Sequence, residues 1–279
     1  MKLKRNPIGM KLFIQVVLLL FAVIQLYPLV WLVFSSLKTN MEITGSNVMG
    51  FPTKWIWSNY DYALFKGDIA RNFVNSLFYT SVTVVVSALL SAMVSFAVSR
   101  MKWKLSKLTL TFFMLGLMIP VHATLLPVFL MLKMTSLLNT PWALIIPYTV
   151  NALPSTIFIM IGFFAALPRE LEESSVVDGC NIYQVFFHIM LPLVKPAIVT
   201  TSIFTFLAVW NELMFANTFI NNPKLATITV AINSFKGAYS TEYGAMFAAM
   251  VVATLPTIMI YLLLSQQVQK SIIAGAVKG

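Results

Sequence analysis

The sequence predicts an all-α integral membrane protein with six transmembrane helices and a helical cytoplasmic loop between spans four and five. Three observations lead there. Hydrophobic residues make up 59% of the 279, and charged residues only 10%, against roughly 25% in soluble domains. The charges are confined to narrow zones, so long charge-free stretches lie between them. These hold 26 residues between Lys11 and Lys38, 28 between Arg71 and Arg100, 25 over 108–132, 35 over 134–168 and 27 over 243–269. Finally, runs such as Val82–Val98 are almost continuously apolar, whereas barrel strands alternate in segments of about ten residues. Only helices and closed barrels satisfy every backbone group in lipid. The runs therefore read as helices.

Crossing a hydrocarbon core of about 30 Å takes roughly 20 residues at 1.5 Å each. Five stretches reach that length. A sixth, 196–211, has 16 residues and reaches it if Glu212 lies near a membrane surface. In order, a basic tail (1–11) precedes span one at about 12–37. An outer loop at about 38–71 carries Phe51-Pro52, Trp55, Trp57, Tyr60 and Tyr62, which suit an aromatic belt at headgroup level. Spans two, three and four follow at about 72–98, 108–132 and 141–166, and a polar cytoplasmic segment occupies 167–195. Span five is expected at about 196–216, an outer loop at 217–241 and span six at 243–266. The chain reads as one transmembrane domain over 1–279, with its core at about 70–266. Pro120, Pro127, Pro147, Pro154 and Pro256 fall inside spans. In a membrane such prolines mark kinks or broken helices rather than span ends.

Positive charge sets the orientation. With the N-terminus inside, inner segments carry twelve Lys and Arg residues and outer segments seven, and the 100–107 loop alone holds four. The positive-inside rule then places both termini in the cytoplasm. The formal charge of +10 is explained this way and does not mark nucleic-acid binding, because the basic residues sit at span ends rather than on one folded face. The apolar run after the basic tail is too long for a signal peptide and no small-residue cleavage site follows, so it reads as a retained first span. The single cysteine, Cys180, excludes a disulfide framework within the chain and reads as a small buried residue.

The informative segment runs from Leu167 to Ile198. Pro168 suits a first helical position, and Glu170, Glu172 and Glu173 fall in the opening turns, where the helix dipole favours anions. Asp178-Gly179 is a turn signal that ends this short helix. A second helix is expected over about Ile182–Met190, with Ile182, Val185, Phe186 and Ile189 at helical spacing and Pro192 closing it. Nothing in the membrane requires this elaboration. A docking element for a soluble cytoplasmic partner does.

The segment resembles the signature loop of permease subunits of binding-protein-dependent ATP-binding-cassette importers. That pattern is Glu-Ala-Ala, three residues, Gly, nine residues, then Ile-x-Leu-Pro. Here Glu173-Ser174-Ser175, Gly179 and Ile189-Met190-Leu191-Pro192 keep every spacing, with two serines in place of the alanines. Serine is as small but forms a somewhat weaker helix. Asn72–Leu77, Asp178-Gly179, Trp210-Asn211-Glu212 and the tail Ala274–Gly279 resemble the maltose-type carbohydrate branch. The resemblance implies a coupling loop, with Glu173, Ser174, Ser175, Asp178, Gly179, Ile189, Leu191 and Pro192 as its key positions. It implies a second permease subunit as partner, usually a different chain, an ATPase dimer that carries ATP and magnesium, and an extracytoplasmic solute-binding protein. It implies residence in the cytoplasmic (inner) membrane of a prokaryote, a carbohydrate as cargo, and no enzymatic activity or cofactor in this chain. Polyols and glycerol-phosphates remain alternative solutes. Independently, the sequence lacks a G-x-x-x-x-G-K-[ST] phosphate loop.

For the solute path the candidates are Asn151, Asn211 and Glu212. An intramembrane acid is a functional candidate, but Glu212 also suits an interfacial position. The two amides suit sugar hydroxyls, though they also suit helix–helix hydrogen bonding. His122 and His188 have no second ligand at metal spacing and read as structural. A secondary transporter is the main rival class, and charge-free spans argue against ion coupling. An intramembrane enzyme is another, and no H-E-x-x-H or G-x-S-x-G motif is present.

Overall fold

The computed structural model describes residues 7–45, 47–237 and 241–276. Lys2, Lys4, Arg5 and Lys278 of the charge pattern, and the end of the Ala274–Gly279 tail, lie outside the described residues. The described chain is helical, and its strand-like pairing is an isolated bridge between Lys236 and Thr241. The principal helices are α1 (Pro7–Ser35), α2 (Ile69–Arg100), α3 (Ser106–Gly116), α4 (Leu125–Met134), α5 (Trp142–Ala166), α6 (Glu170–Val177), α7 (Lys195–Trp210), α8 (Met214–Phe219), α9 (Ile228–Ser234) and α10 (Tyr243–Ala276).

Four helices are long and apolar enough to cross a membrane: Met10–Ser35, Ile69–Arg100, Trp142–Ala166 and Tyr243–Leu263. Two bent pairs pass the same test together, Ser106–Gly116 with Val121–Met134 (94°) and Ile182–Leu193 with Lys195–Trp210 (74°), which raises the number to as many as six.

Span three, expected at about 108–132 with Pro120 and Pro127 marking kinks or breaks, is broken at Pro120. α3 stops at Gly116, Pro120 is extended at φ −62° and ψ 122°, and a 3-10 turn over Val121–Thr124 leads into α4. Pro120 offers no N–H, and its ring drives Ile119 out of helical geometry. Gly116 lies so close to α5 that an added Cβ would sit 2.9 Å from Pro154 Cγ. Span five is also shorter than expected, because α7 ends at Trp210 and α8 begins at Met214. Glu212 thus lies in the break between two helices. Pro192 does not close the loop's second helix, which continues through Leu193. Residues Val185–Met190 widen into a π-helix, and Leu191 N–H donates to Phe186 O five residues back. This offset in the hydrogen-bond ladder accommodates a residue without an N–H.

The chain divides into two compact units, residues up to 69 with 232–254, and residues 70–231 with those from 255 onward. In the first unit, the apolar 18-residue window of α1 has no buried residue. Its segment after α1 is ordered by polar contacts. Buried Lys38 donates through Nζ to Asn47 O (2.8 Å) and Val48 O (3.0 Å). Burial pushes its pKa down, and neighbouring Glu42 opposes that shift. Asn59 Nδ2 donates to Ser36 O and Lys38 O, both at 2.9 Å. Of the aromatics expected at headgroup level, Phe51, Trp55 and Trp57 are exposed, and Phe34 packs on the first two.

The second unit inverts the layout of a soluble fold. Along α2, Asn72, Ser76, Thr80, Thr83, Ser87, Ser91 and Ser95 are all buried, while Val74, Phe78 and Val85 face outward. The buried positions recur every three or four residues, so they form one seam. Small side chains let helices approach closely where lipid removes any hydrophobic reward for burying large ones. Ser95 Oγ donates to Ile157 O of α5 at 3.3 Å, and Ser76 Oγ accepts from Ile228 N at 2.8 Å. Two apolar clusters flank the seam. One gathers Tyr79, Leu144, Tyr148, Phe215 and Phe219, and the other Phe96, Met160, Phe164, Phe186 and Met190.

Candidate functional site

Two sites emerge in the second unit: the 167–195 loop and a cavity between α5 and α7. In the loop, α6 begins at Glu170, with Glu170, Glu172 and Glu173 in its first turn. Pro168 lies just before the helix, and Arg169 is its N-cap. The helix ends as the sequence signals. Gly179 has φ +83°, Cys180 N–H donates to Ser175 O and Gly179 N–H to Val176 O, both at 3.0 Å. This is the six-to-one and five-to-two pairing of a Schellman ending, which calls for a left-handed residue and hence glycine. No atom lies within 4 Å of a Cβ built on Gly179, so the backbone alone requires the glycine.

The two serines of the motif have different roles. Ser175 is buried and its Oγ donates to Leu171 O at 2.5 Å, while Ser174 is exposed. Glu173, Val176, Val177 and Asp178 form an exposed tip, with Val177 86% accessible. Asn181 then starts the next helix with a capping box, its Oδ1 accepting from Gln184 N at 2.9 Å and Gln184 Oε1 accepting from Asn181 N at 2.8 Å. That helix is anchored by Phe186, whose ring centroid lies 5.3 Å from that of Phe96 on α2. Ile189, Leu191 and half-buried Cys180 pack on the same cluster. Pro192 is exposed, and so is His188, whose Nδ1 lies 3.3 Å from Gln184 O.

Arg100, at the end of α2, ties this loop down. Its Nε donates to Glu172 Oε1 at 2.5 Å, and the side chains are 4% and 21% accessible. Its Nη1 donates to Leu167 O (2.9 Å) and Phe164 O (3.4 Å), and its Nη2 to Pro168 O (3.2 Å). In sequence Arg100 registers only as one more positive charge at a span end. No local spacing links it to a carboxylate 72 positions away.

The cavity between α5 and α7 has a volume of about 330 Å³. Asn151, Ser155, Thr156, Thr201, Thr205 and Glu212 supply its polar lining, and Phe204 and Phe215 supply aromatic walls. The Asn151 side chain makes no hydrogen bond to another described residue, which leaves its amide free to donate and accept. Ser155 Oγ donates to Ala152 O (3.1 Å) and Thr201 Oγ1 to Ala197 O (3.0 Å). Their protons are spent on the helix, and their lone pairs remain as acceptors.

Glu212 is half-buried and its carboxylate is held from three directions. Oε2 accepts from Tyr148 Oη at 2.6 Å and Ala216 N at 3.1 Å, and Oε1 accepts from Phe215 N at 2.8 Å. The carboxylate thereby caps the start of α8 and fastens the break to α5. Tyr148 was not among the sequence candidates, and its signal was a phenol inside an otherwise apolar run, whose O–H must find a partner. Asn211 does not face this cavity. Its Nδ2 donates to Leu207 O at 2.8 Å, and it lines an adjoining pocket with His122 and Glu212.

Comparison with known proteins adds a family and a fold. Residues 87–274 match the family described as "Binding-protein-dependent transport system inner membrane component". The chain is 34% identical to the "Probable ABC transporter permease protein YurM" of Bacillus subtilis, over 95% of this chain and 88% of that protein. It is 29% identical to the trehalose/maltose transport system permease protein MalG of Thermococcus litoralis, over 99% of both. Among solved structures, a chain of a bacterial ABC transporter involved in import of the acidic polysaccharide alginate superposes with a TM-score of 0.82, at 20% identity, over 95% of this chain and 99% of that one.

Proposed function

The chain belongs to the family of binding-protein-dependent transport system inner membrane components, and from that premise we propose how it moves its solute. It is a multi-pass permease subunit of an ATP-driven importer of the carbohydrate branch. Its loop 167–195 couples to a separate ATPase dimer, which binds ATP and magnesium, and α6 is the part that enters the ATPase. Glu173, Ser174, Asp178 and Gly179 shape that contact, while Ser175, Ile189, Leu191 and Pro192 hold the loop in form. One observation carries this reading. The exposed tip of α6 presents Val176 and Val177 to water beside Glu173, on a helix whose ending is fixed by Gly179. Two bare valines at the end of a rigid helix suit a protein partner. A second permease subunit completes the pore, and an extracytoplasmic binding protein delivers the solute.

The solute path runs past the α5–α7 cavity, with Asn151 and Glu212 facing the solute and Asn211 at the adjoining mouth. Hydroxyl acceptors, a free amide and an aromatic wall suit an uncharged, hydroxyl-rich ring. The whole chain acts as one permease domain with six spans and both termini in the cytoplasm. Contacts at the ends of the helices support this count. Arg100 and Glu172 meet on one side, so the chain between them crosses an even number of times. α5 supplies one crossing, and the bent pair 106–134 supplies the other. Asn139 Oδ1 accepts from Asn222 N at 3.1 Å, so the 195–219 segment ends on the side where α5 begins, and the two cross in opposite directions.

The test is co-purification from mild detergent followed by transport of trehalose or a maltodextrin in proteoliposomes. Wild type should bring down a cytoplasmic ATPase, and Glu173→Lys should lose it. Solute crossing without ATP, and with no ATPase bound, would leave a secondary carrier in place of the importer.

A further inference from the structure

The loop is covalently continuous with α5 and α7, yet its most heavily bonded polar partner is on α2. Arg100 makes three hydrogen bonds to the loop, one to Glu172 of α6 and one each to Leu167 O and Pro168 O at its entrance, and a fourth to Phe164 O at the end of α5. The guanidinium is nearly inaccessible at 4%, and a buried cation is tolerated only when charge and hydrogen bonds are both satisfied. A planar five-donor fork meets those requirements where an ammonium does not. Phe186 adds an apolar contact to Phe96 one turn further into α2. α2 is gripped at its other end as well, where Asn75 Nδ2 donates to Lys224 O (2.9 Å) and Ala226 O (3.0 Å). Between these grips lies the small-residue seam, in which Thr83 Oγ1 and Ser91 Oγ have no hydrogen-bond partner among the described residues. A helix packed through small side chains with few cross-bonds can slide at low cost, which is the shear type of motion.

We propose that Arg100 is a positioning residue for transport: it makes α2 move with the ATPase-bound loop and so carries the stroke from the cytoplasmic face to the far end of the second unit. This rests on the coupling role given to the 167–195 loop. When the ATPase displaces α6, Glu172 and the loop entrance pull the guanidinium. α2 then follows as a rod about 48 Å long and acts on the 224–226 segment at its other end. With Arg100 removed, α6 still docks through its exposed tip, but the displacement no longer reaches α2.

The experiment uses the full assembly in proteoliposomes: this chain, its partner permease, the ATPase and the binding protein. Arg100→Gln and Arg100→Lys are compared with wild type and with Glu173→Lys, reading both ATPase retained on purification and ATP hydrolysed per solute imported. Arg100→Gln is expected to retain the ATPase while ATP per solute rises about tenfold, with Arg100→Lys between it and wild type. A folding defect alone would lower the yield of complex without changing that ratio in the complexes that form. An unchanged ratio overturns the proposal, and so does loss of the ATPase from Arg100→Gln, which would make Arg100 part of docking. Glu173→Lys reports separately on the underlying reading. If it keeps both ATPase and transport, the loop is not the coupling element and the proposal falls with it.

Discussion

Gly179 separates two reasons for a glycine. Its φ of +83° requires the left-handed region, while no atom lies within 4 Å of an added Cβ. A series at this position should therefore follow backbone preference and ignore side-chain volume. Gly179→Asn should import at near wild-type rates, because asparagine tolerates left-handed geometry. Gly179→Ala should lose about 1 kcal/mol of loop stability, and Gly179→Val more. Initial import rates in vesicles rank the three, and a ranking by size instead would point to a contact that the free chain does not make. The Tyr148–Glu212 pair tests a different balance. Tyr148→Phe removes the 2.6 Å donor from a half-buried carboxylate that keeps only the two N–H groups of α8. That should cost about 1–3 kcal/mol, seen as a lower melting temperature in detergent. Glu212→Gln added to it should cost less than the two separate losses combined, since the residues share one network. Simple additivity would place the carboxylate's support elsewhere.

At the level of elements, one carboxylate ties together residues 39–53. Glu42 accepts from Thr53 Oγ1 (2.6 Å), Thr53 N (2.9 Å), Thr39 N (3.2 Å) and Asn47 Nδ2 (3.3 Å). These bonds, led by the Thr53 hydroxyl, hold its pKa at about 2. A carboxylate depressed by folding adds stability above its ordinary value and loses it as pH falls toward the depressed one. Wild-type protein should therefore protect residues 39–53 from protease at neutral pH and lose that protection between about pH 4.5 and pH 2. Glu42→Gln should flatten the dependence, and an unaltered pH profile in that variant would remove Glu42 as its source. The seam of α2 gives the opposite lesson about packing: Ser87→Leu should cost about 1–3 kcal/mol through overpacking, while exposed Val85→Leu should be silent. The long helices were legible because charge-free length reports on lipid directly, and the Gly179 ending because its φ is a local demand. The break at Pro120 was legible only as some interruption. Its depth depends on how α3 meets Pro154 of α5 through Gly116, a contact across the fold. Arg100 and Tyr148 went unread for the same reason, since each is defined by a partner more than 60 positions away.

For the whole molecule, the span count turns on whether the pair 106–134 crosses the bilayer or turns back. α3 with 11 residues and α4 with 10 are each about 15 Å long, half of a hydrocarbon core. Bent by 94°, neither crosses alone, and the crossing needs the extended and 3-10 residues between them. Irregular backbone at that depth is tolerated only when buried in protein or lining a water-filled path. Within this chain that cover is slight: residues 117–123 are all exposed, with His122 edge-on to Phe215 at 6.4 Å between centroids. Parity supports the proposed crossing. Arg100 meets Glu172, so if 106–134 turned back, α5 would carry the loop to the face opposite Arg100 and the 2.5 Å contact could not form. Single cysteines decide the matter, because replacing Cys180 with serine leaves a chain without any other thiol. In that background Lys102→Cys and Asp178→Cys should react with an impermeant maleimide only in inside-out vesicles. Ser136→Cys and Lys224→Cys should react only in right-side-out ones. Labelling of Lys102→Cys and Ser136→Cys from the same side would make the pair a re-entrant loop, and would undo both the six-span count and the contact from which the movement of α2 was argued.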